Sequence, residues 1–329
     1  MHRTFIICIA LLALIGAAQA QFNGMEEGRA RAEAFLAGRL DAIWQSMTPE
    51  LQRKLGSEAN LAAFRDQVRS EMGEEQEIRD EKILTTTQGV TTYRRVADWS
   101  DAPKPVLMEW SFDLSGRIAG FFIRPAPVAA DSRFMNYYTQ AELRLPFAGT
   151  WHVYWGGRSV EQNHHAVDPG QRFAYDFLVT KDGSSFAGDD PGQVERYYCW
   201  GEPILAPARG TVVAIANDVA DNAVGQTDAA RPLGNHVVLD LGNSEFAFLA
   251  HMQNGSVRVA PGDVVEAGDR LGACGNSSEP HLHLHLQTTA ELGNGEGLPA
   301  QFHDYRVNGT VFARGEPVKK QEIAPVAAD

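Results

Sequence analysis

The chain has 329 residues, an apolar fraction of 44% and a formal net charge of −13. This length allows about two domains, and the composition is that of a globular protein with enough apolar residues for a sizeable core. The acidic balance argues against nucleic-acid binding and against attachment to a membrane through a basic surface.

The first 20 residues have the pattern of a signal peptide. A polar start at His2 and Arg3 precedes an apolar run from Phe5 to Ile15, and Ala18-Gln19-Ala20 is typical of a cleavage site. The apolar run is shorter than a membrane span requires, and Cys8 lies inside it rather than at the cleavage point. We therefore predict export to the periplasm or the extracellular space, without a membrane anchor.

Residues 21–125 are predicted to form a small α+β module. Helical spacing relates Leu36, Leu40, Ile43, Trp44 and Met47 in one helix, and Leu61, Phe64, Val68 and Met72 in another. Thr48 and Pro49 indicate a helix N-terminus between them, and Gly73 a helix end. Strand patterns follow at 82–87, 90–96, 106–112 and 118–123. This order of elements is similar to the cystatin-like and nuclear-transport-factor-like cone domains.

The remainder of the chain reads as mainly β. Residues 126–139 are rich in proline and alanine at their start and are predicted to be a linker. Residues 140–315 contain many short strand patterns separated by Gly, Pro, Asn and Asp, as at 211–216, 236–241, 246–251 and 264–265. Residues 316–329 are predicted to form a polar tail.

The most informative stretch is Glu-Pro-His-Leu-His-Leu-His-Leu-Gln at 279–287. On a strand, His281, His283 and His285 share one face, and the leucines share the other. Imidazoles are costly to bury without partners, whereas histidines two residues apart can converge on one metal ion or one reacting atom. The alternative is a surface strand that happens to carry histidines.

Two further clusters offer partners for these histidines. Asn163-His164-His165 precedes an apolar strand interrupted by Asp176, and His251 ends another apolar strand. Two histidines and one carboxylate bind zinc tetrahedrally and leave a fourth position for a water molecule. Additional histidines beside the metal can transfer a proton and stabilise an oxyanion. Taken singly, Asp176 also fits a structural ion pair, and His251 a structural histidine.

Together these stretches resemble the lysostaphin-like zinc metallopeptidases, which cleave peptide bonds in bacterial cell-wall peptidoglycan. The resemblance is carried by NHHAVDPGQRFAYDF, GEPILAPARGTVVAIAND, GNHVVLDLG, FLAHMQNGSVRVAPGDVVEAGDRLGACGN and EPHLHLHLQ. It implies one zinc ion per chain, held by His165, Asp176 and His283. It also implies that His251 and His281 act in catalysis.

The first motif allows a second choice of histidine and aspartate as metal ligands. The family usually places this histidine and aspartate four residues apart, as His164 and Asp168 are, whereas His165 and Asp176 are eleven apart. Asp168-Pro169-Gly170 reads as a turn, and Asp176 lies in the apolar strand that the family uses, so we favour His165 with Asp176. His285 is expected beyond the metal ligands, as a supporting or substrate-facing residue.

Cys199 and Cys274 remain once the signal peptide is removed. In an exported protein we expect them to form one disulfide, with two buried free thiols as the alternative. The predicted fold is multidomain, with an N-terminal small α+β cone-like domain followed by a mainly-β lysostaphin-type metallopeptidase domain. The predicted function is hydrolysis of peptidoglycan peptides by zinc-activated water. The alternatives are an inactive regulator or scaffold of other cell-wall hydrolases, and a zinc peptidase acting on proteins.

Overall fold

A computed structural model describes residues 22–85 and 90–326. The predicted signal peptide lies outside the described residues. The described chain divides between Ala126 and Pro127 into two units, each with its own core. Within those ranges, no helix combines the length and the apolar character that crossing a membrane requires.

The first unit combines helices with an antiparallel sheet. Its helices are α1 (Gly24–Leu36), α2 (Asp41–Ser46), α3 (Pro49–Leu55) and α4 (Glu58–Met72). Its strands, in sheet order, are β1 (Glu75–Thr85), β2 (Thr91–Trp99), β3 (Val106–Phe112) and β4 (Ile118–Pro125). Phe35, Ile43 and Trp110 from both layers are buried together in its core. Its assignment to the cone domains stays a prediction.

Helix boundaries in this unit differ from the prediction where the chain turns. Sequence spacing puts Leu36 and Leu40 in one helix, but α1 ends at Leu36. Gly38 adopts a φ of 74°, and the N–H groups of Gly38 and Arg39 donate to the Phe35 and Ala34 carbonyls, which closes a Schellman turn. The predicted start of α3 is confirmed, since the Thr48 hydroxyl accepts from the Leu51 N–H and Pro49 is the first helical residue.

The second unit is mainly β. Its strands are β5 (Trp151–Trp155), β6 (Tyr175–Leu178), β7 (Pro203–Leu205), β8 (Gly210–Ala216), β9 (Asn235–Asp240), β10 (Phe246–Met252), β11 (Val264–Val265), β12 (Arg270–Ala273), β13 (Leu282–Gln287), β14 (Gly297–Leu298), β15 (Phe302–Val307), β16 (Thr310–Gly315) and β17 (Glu322–Pro325). Most belong to one sheet in the order β11-β8-β9-β10-β13-β6-β5-β17-β15-β16, with β14 beside β13. Strands β7 and β12 form a separate pair.

Both ends of this unit contain structure where the sequence predicts a linker and a tail. The Ala130 N–H donates to the Ala166 carbonyl at 2.7 Å, and the Thr139 N–H donates to Gln301 Oε1 at 2.9 Å. At the other end, β17 pairs with β5 and β15, and Ile323 is fully buried. Only Ile323 of this four-residue strand is fully buried and Pro325 is uncommon in strands, so the segment carries a weak strand signal in the sequence.

The central strand β13 has two buried faces. Leu282, Leu284 and Leu286 lie in the main core, as predicted for the leucine face.

Cys199 and Cys274 form the expected disulfide. Directly after Cys274, a side chain added at Gly275 would come within 2.3 Å of the Gln253 nitrogen, so only glycine fits against β10 there. These contacts hold the loop that leads into the histidine strand.

Candidate metal centre

Sheet pairing places Asp176 beside His283. Strand β13 lies between β6 and β10, with His283 opposite Asp176 on one side and opposite Ala250 on the other. His283 Nδ1 lies 2.9 Å from Asp176 Oδ1. Asp176 is 5% exposed and His283 is 2% exposed. The carboxylate is therefore buried on a rigid central part of the sheet.

A capped turn brings His165 to the same carboxylate. A short 3-10 helix, His164–Val167, begins after Asn163, whose side-chain oxygen accepts from the His165 N–H. The Asn163 side-chain amide donates to the Gly157 and Ala174 carbonyls and is fully buried. His165 Nε2 consequently lies 3.2 Å from Asp176 Oδ2, so the two residues meet across eleven positions of sequence.

The alternative ligand pair is not brought together in the same way. Asp168 Oδ1 accepts from the Gly170 N–H at 2.8 Å, so this carboxylate closes the turn that the sequence predicts. His164 remains at the site, because donor atoms of His164, His165 and Asp176 all lie within 4.8 Å of one another. The structure thus contains a His-His-Asp group able to hold a metal ion, with His283 adjoining it.

His281 and His251 complete the constellation. His281 Nε2 lies 3.6 Å from Asp176 Oδ1, and its Nδ1 lies 2.6 Å from the Glu279 carbonyl oxygen. Because a carbonyl only accepts, Nδ1 carries the proton and Nε2 faces the site as a possible base. The rings of His251 and His281 are 4.6 Å apart between centroids.

A β-bulge aims His251 into the site. Alternation along β10 places Ala250, opposite His283, on the histidine face and would turn the next residue to the other face. The β9–β10 register shifts between Ala250 and Met252, and His251 there adopts a φ of 63°. A left-handed backbone at a non-glycine residue is uncommon and costs about 1–3 kcal/mol, and such strain clusters at functional sites.

The electrostatics of the site centre on the buried carboxylate of Asp176. Burial alone would raise the pKa of Asp176, but His281 and His165 reverse this and hold it well below its usual value. Burial lowers the pKa of His283, although the hydrogen bond to Asp176 opposes this, and burial lowers the pKa of His251 well below its usual value. A buried carboxylate needs a compensating positive charge, which either these histidines or a bound cation can supply.

The donors present fit zinc. Imidazole nitrogens and one carboxylate are ligand types that zinc takes, and three protein ligands leave one position open, as in catalytic sites. Two sets of three donors are available at this site. Both sets contain His165 and Asp176, and the third donor is either His164 or His283. The residues therefore fit the metal whose presence the sequence predicts.

Comparison with known families finds a match inside the second unit. Residues 197–295 match the family model of peptidase family M23. The matched range is less than a third of the chain. The matched range includes His251, His281 and His283, whereas His165 and Asp176 precede it. No curated protein sequence matches the chain. The matched family is one of peptidases, which are hydrolases.

Solved structures of M23 proteins resemble the chain at low identity. The catalytic domain of lysostaphin from Staphylococcus simulans is 20% identical over 45% of this chain and 86% of that chain, with a TM-score of 0.26. A catalytic domain of the M23 protein EnpA from Enterococcus faecalis is 24% identical over 37% and 92%, with a TM-score of 0.23. A putative M23 peptidase from Pseudomonas aeruginosa is 18% identical over 66% and 85%, with a TM-score of 0.27. TM-scores below 0.5 do not establish a common overall fold.

Of the residues singled out in the sequence, His165, His281 and His283 lie around Asp176, and the ring of His251 contacts that of His281. The structure adds Asn163, which sequence reasoning passed over although asparagine is a common helix cap and precedes the two histidines directly. His285 was expected to be supporting or substrate-facing. It is fully buried and contacts His283, so it does not face a substrate.

Proposed function

We propose that the chain is an exported zinc metalloendopeptidase that hydrolyses peptide bonds in peptidoglycan. The observation that carries the proposal is the convergence on Asp176 of His165 Nε2 at 3.2 Å and His283 Nδ1 at 2.9 Å. These two histidines and Asp176 would hold one zinc ion. The M23 domain supports peptidase chemistry, and the family resemblance supports the wall substrate.

The roles of the other two histidines follow from their surroundings. Bound zinc would act as a Lewis acid toward the scissile carbonyl and supply an activated water molecule. His281 would accept a proton at Nε2, because the Glu279 carbonyl holds the proton on Nδ1. His251, beside His281 and uncharged through burial, would donate a hydrogen bond to the carbonyl oxygen as negative charge develops on it.

The experiment is metal analysis with paired aspartate variants. We expect about one zinc per purified chain, as in other single-metal catalytic sites. Asp176→Ala should lose both the zinc and the digestion of purified peptidoglycan, whereas Asp168→Ala, which alters only a turn, should keep both. Loss of zinc in Asp168→Ala instead would move the site to the alternative pair.

The same samples distinguish the enzyme from its rivals. A parent chain that stays free of zinc after metal repletion would overturn the hydrolase proposal and leave a regulator or scaffold of other wall enzymes. A zinc-loaded parent that cleaves unfolded protein but leaves peptidoglycan intact would retain the metal site and overturn the substrate assignment. His164→Ala is the matched test of the third donor, and we expect it to retain zinc.

A further inference from the structure

Residues 129–135, here called the supporting segment, lie against the 3-10 helix that carries His165. The Ala130 N–H donates to the Ala166 carbonyl oxygen at 2.7 Å. Ala166 directly follows His165 and is fully buried. The sequence predicts this segment as part of a linker, but the hydrogen bond attaches it to the helix on which a proposed zinc ligand stands. The position of Ala130 therefore bears on the position of His165.

Arg172 holds the supporting segment in place. Its side chain is buried, with 4% of the residue exposed. Its Nε donates to the Ala130 carbonyl oxygen at 2.7 Å and its Nη1 to the Arg158 carbonyl oxygen at 2.8 Å, while Nη2 lies 3.6 Å from Met135 Sδ. None of these acceptors is a carboxylate. The guanidinium fork therefore joins separate stretches of main chain rather than closing an ion pair.

The helix is also held from the side of the Arg158 loop. The Asn163 side-chain nitrogen donates to the Gly157 carbonyl oxygen at 3.1 Å, and its side-chain oxygen accepts from the His165 N–H at 3.1 Å. Gly157 and Arg158 are consecutive, so Asn163 and Arg172 hold neighbouring peptide groups of one loop. The helix is thus attached to that loop and to the supporting segment, and Arg172 joins the two.

We propose that Arg172 and Ala130 are positioning residues for the metal ligand His165. They close a ring of hydrogen bonds around the 3-10 helix and so keep His165 Nε2 at 3.2 Å from Asp176 Oδ2. A ligand that is already ordered loses less conformational entropy when the metal binds. This inference rests on the proposed zinc site and assigns a role to two residues that are not among its donors.

Amide hydrogen exchange in the metal-free chain tests the positioning role without zinc or activity. Ala130→Pro removes the N–H that donates to Ala166, and we expect the amides of His165 and Asp168, both hydrogen-bonded at the helix, to exchange about 10-fold faster. Ala129→Pro is the matched control, because within residues 22–85 and 90–326 the Ala129 N–H donates no hydrogen bond. Exchange in β10 reports on global stability and should stay unchanged. Equal exchange at the helix in the parent and Ala130→Pro would overturn the proposal.

Zinc affinity, measured by competition with a chromophoric chelator, gives the second test. Arg172→Met keeps a long apolar stem but removes every donor, and we expect zinc binding to weaken about 10-fold. Arg172→Lys can reach one carbonyl oxygen and should recover part of the affinity. Ile323→Val is the control, because it removes a buried methyl group from β17 and should lower the melting temperature without changing the affinity.

The outcomes separate this inference from the proposed function. A folded Arg172→Met chain that binds zinc as tightly as the parent, or an equal loss of affinity in Ile323→Val, would overturn the positioning role. If the β10 amides show that Ala130→Pro is unfolded, the exchange measurement on Arg172→Met takes its place, with the same expected result. A parent that binds no zinc would overturn the proposed function, and hydrogen exchange in the metal-free chain would still decide whether these residues order the helix.

Discussion

Each of the two units places buried or partly buried carboxylates beside nitrogen-bearing side chains, but the positive partner of the carboxylates differs between the units. In the first unit, Arg95 is 4% exposed and lies 2.9 Å from Glu75 and 3.1 Å from Glu81. In the second unit, Asp176 is surrounded by histidines, and burial lowers the pKa of His283 among them. The first cluster is closed by its own arginine, whereas the second lacks a permanent cation.

This contrast teaches how to distinguish a structural cluster from a metal centre. A network of paired carboxylates and arginine needs no bound cation. Removing the arginine is costly because the remaining carboxylates are left without a positive partner. A carboxylate among imidazoles has no permanent positive partner, so a bound metal cation can take that place. The predictions below test that difference, beginning with the largest effect.

The largest effect should come from His251. We expect His251→Asn to lower the rate of peptidoglycan cleavage about 10²- to 10⁴-fold, because the imidazole that assists the reaction is lost. Asparagine tolerates the positive φ of this position, so folding and zinc content should stay unchanged. Elemental analysis and cleavage assays on one preparation check both points. Loss of the zinc would make His251 a ligand instead.

Removing the arginine of the first unit should be the most damaging change to stability. Arg95→Met leaves Glu75 and Glu81 partly buried without their shared cation, and we expect a loss of about 3 kcal/mol in the free energy of unfolding. Arg79→Met is the control, because Arg79 forms an exposed pair with Asp98 and should cost less than about 1 kcal/mol. Amide hydrogen exchange in β2 reports on this unit alone. Equal losses in both variants would contradict the distinction.

The first unit should also lose stability in acid. Burial raises the pKa of Glu81, but Arg29, Tyr93 and Arg95 together lower it to about 2, below its ordinary 4.5. Because the folded pKa is the lower one, this stabilisation is complete above pH 4.5 and disappears as the pH falls toward 2. Burial raises the pKa of Glu75, so that residue works in the opposite direction.

Glu81→Gln isolates this contribution. Hydrogen exchange of β2 between pH 4.5 and 2 should show a flatter loss of protection in the variant than in the parent. Parallel curves for the two chains would mean that Glu81 does not carry the acid sensitivity.

The smallest change in stability should come from Asp176. In the metal-free chain, Asp176→Asn removes the carboxylate that lies against His165 and His283. Burial alone would raise the pKa of Asp176, but His281 and His165 hold it well below its usual value, so the folded chain stabilises the charged form. We therefore expect the free energy of unfolding to fall by about 1 kcal/mol. Chemical denaturation of chelator-treated protein measures this, and a variant more stable than the parent would contradict the expectation.

Local sequence signals predicted much of this structure. The cap at Thr48 and Pro49, the alternating faces of β13 and the pairing of Cys199 with Cys274 all follow from neighbouring residues or from simple counting. The split between α1 and α2 was also signalled, by Gly38, but apolar spacing on both sides obscured it. Such features depend on few residues that are close in sequence.

Features that depend on distant contacts were not predictable in the same way. The bulge at His251 arises from register between β9 and β10, which alternation within one strand cannot show. His165 reaches Asp176 because Asn163 is held by two backbone carbonyls.

The central claim is that Asp176, His165 and His283 together bind one zinc ion. A crystal structure of the zinc-soaked chain, with an anomalous difference map at the zinc edge, tests this most directly. The account predicts one strong peak bounded by His165 Nε2, Asp176 and His283 Nδ1. A peak on His164 and Asp168, or no peak beside Asp176 at saturating zinc, would contradict it.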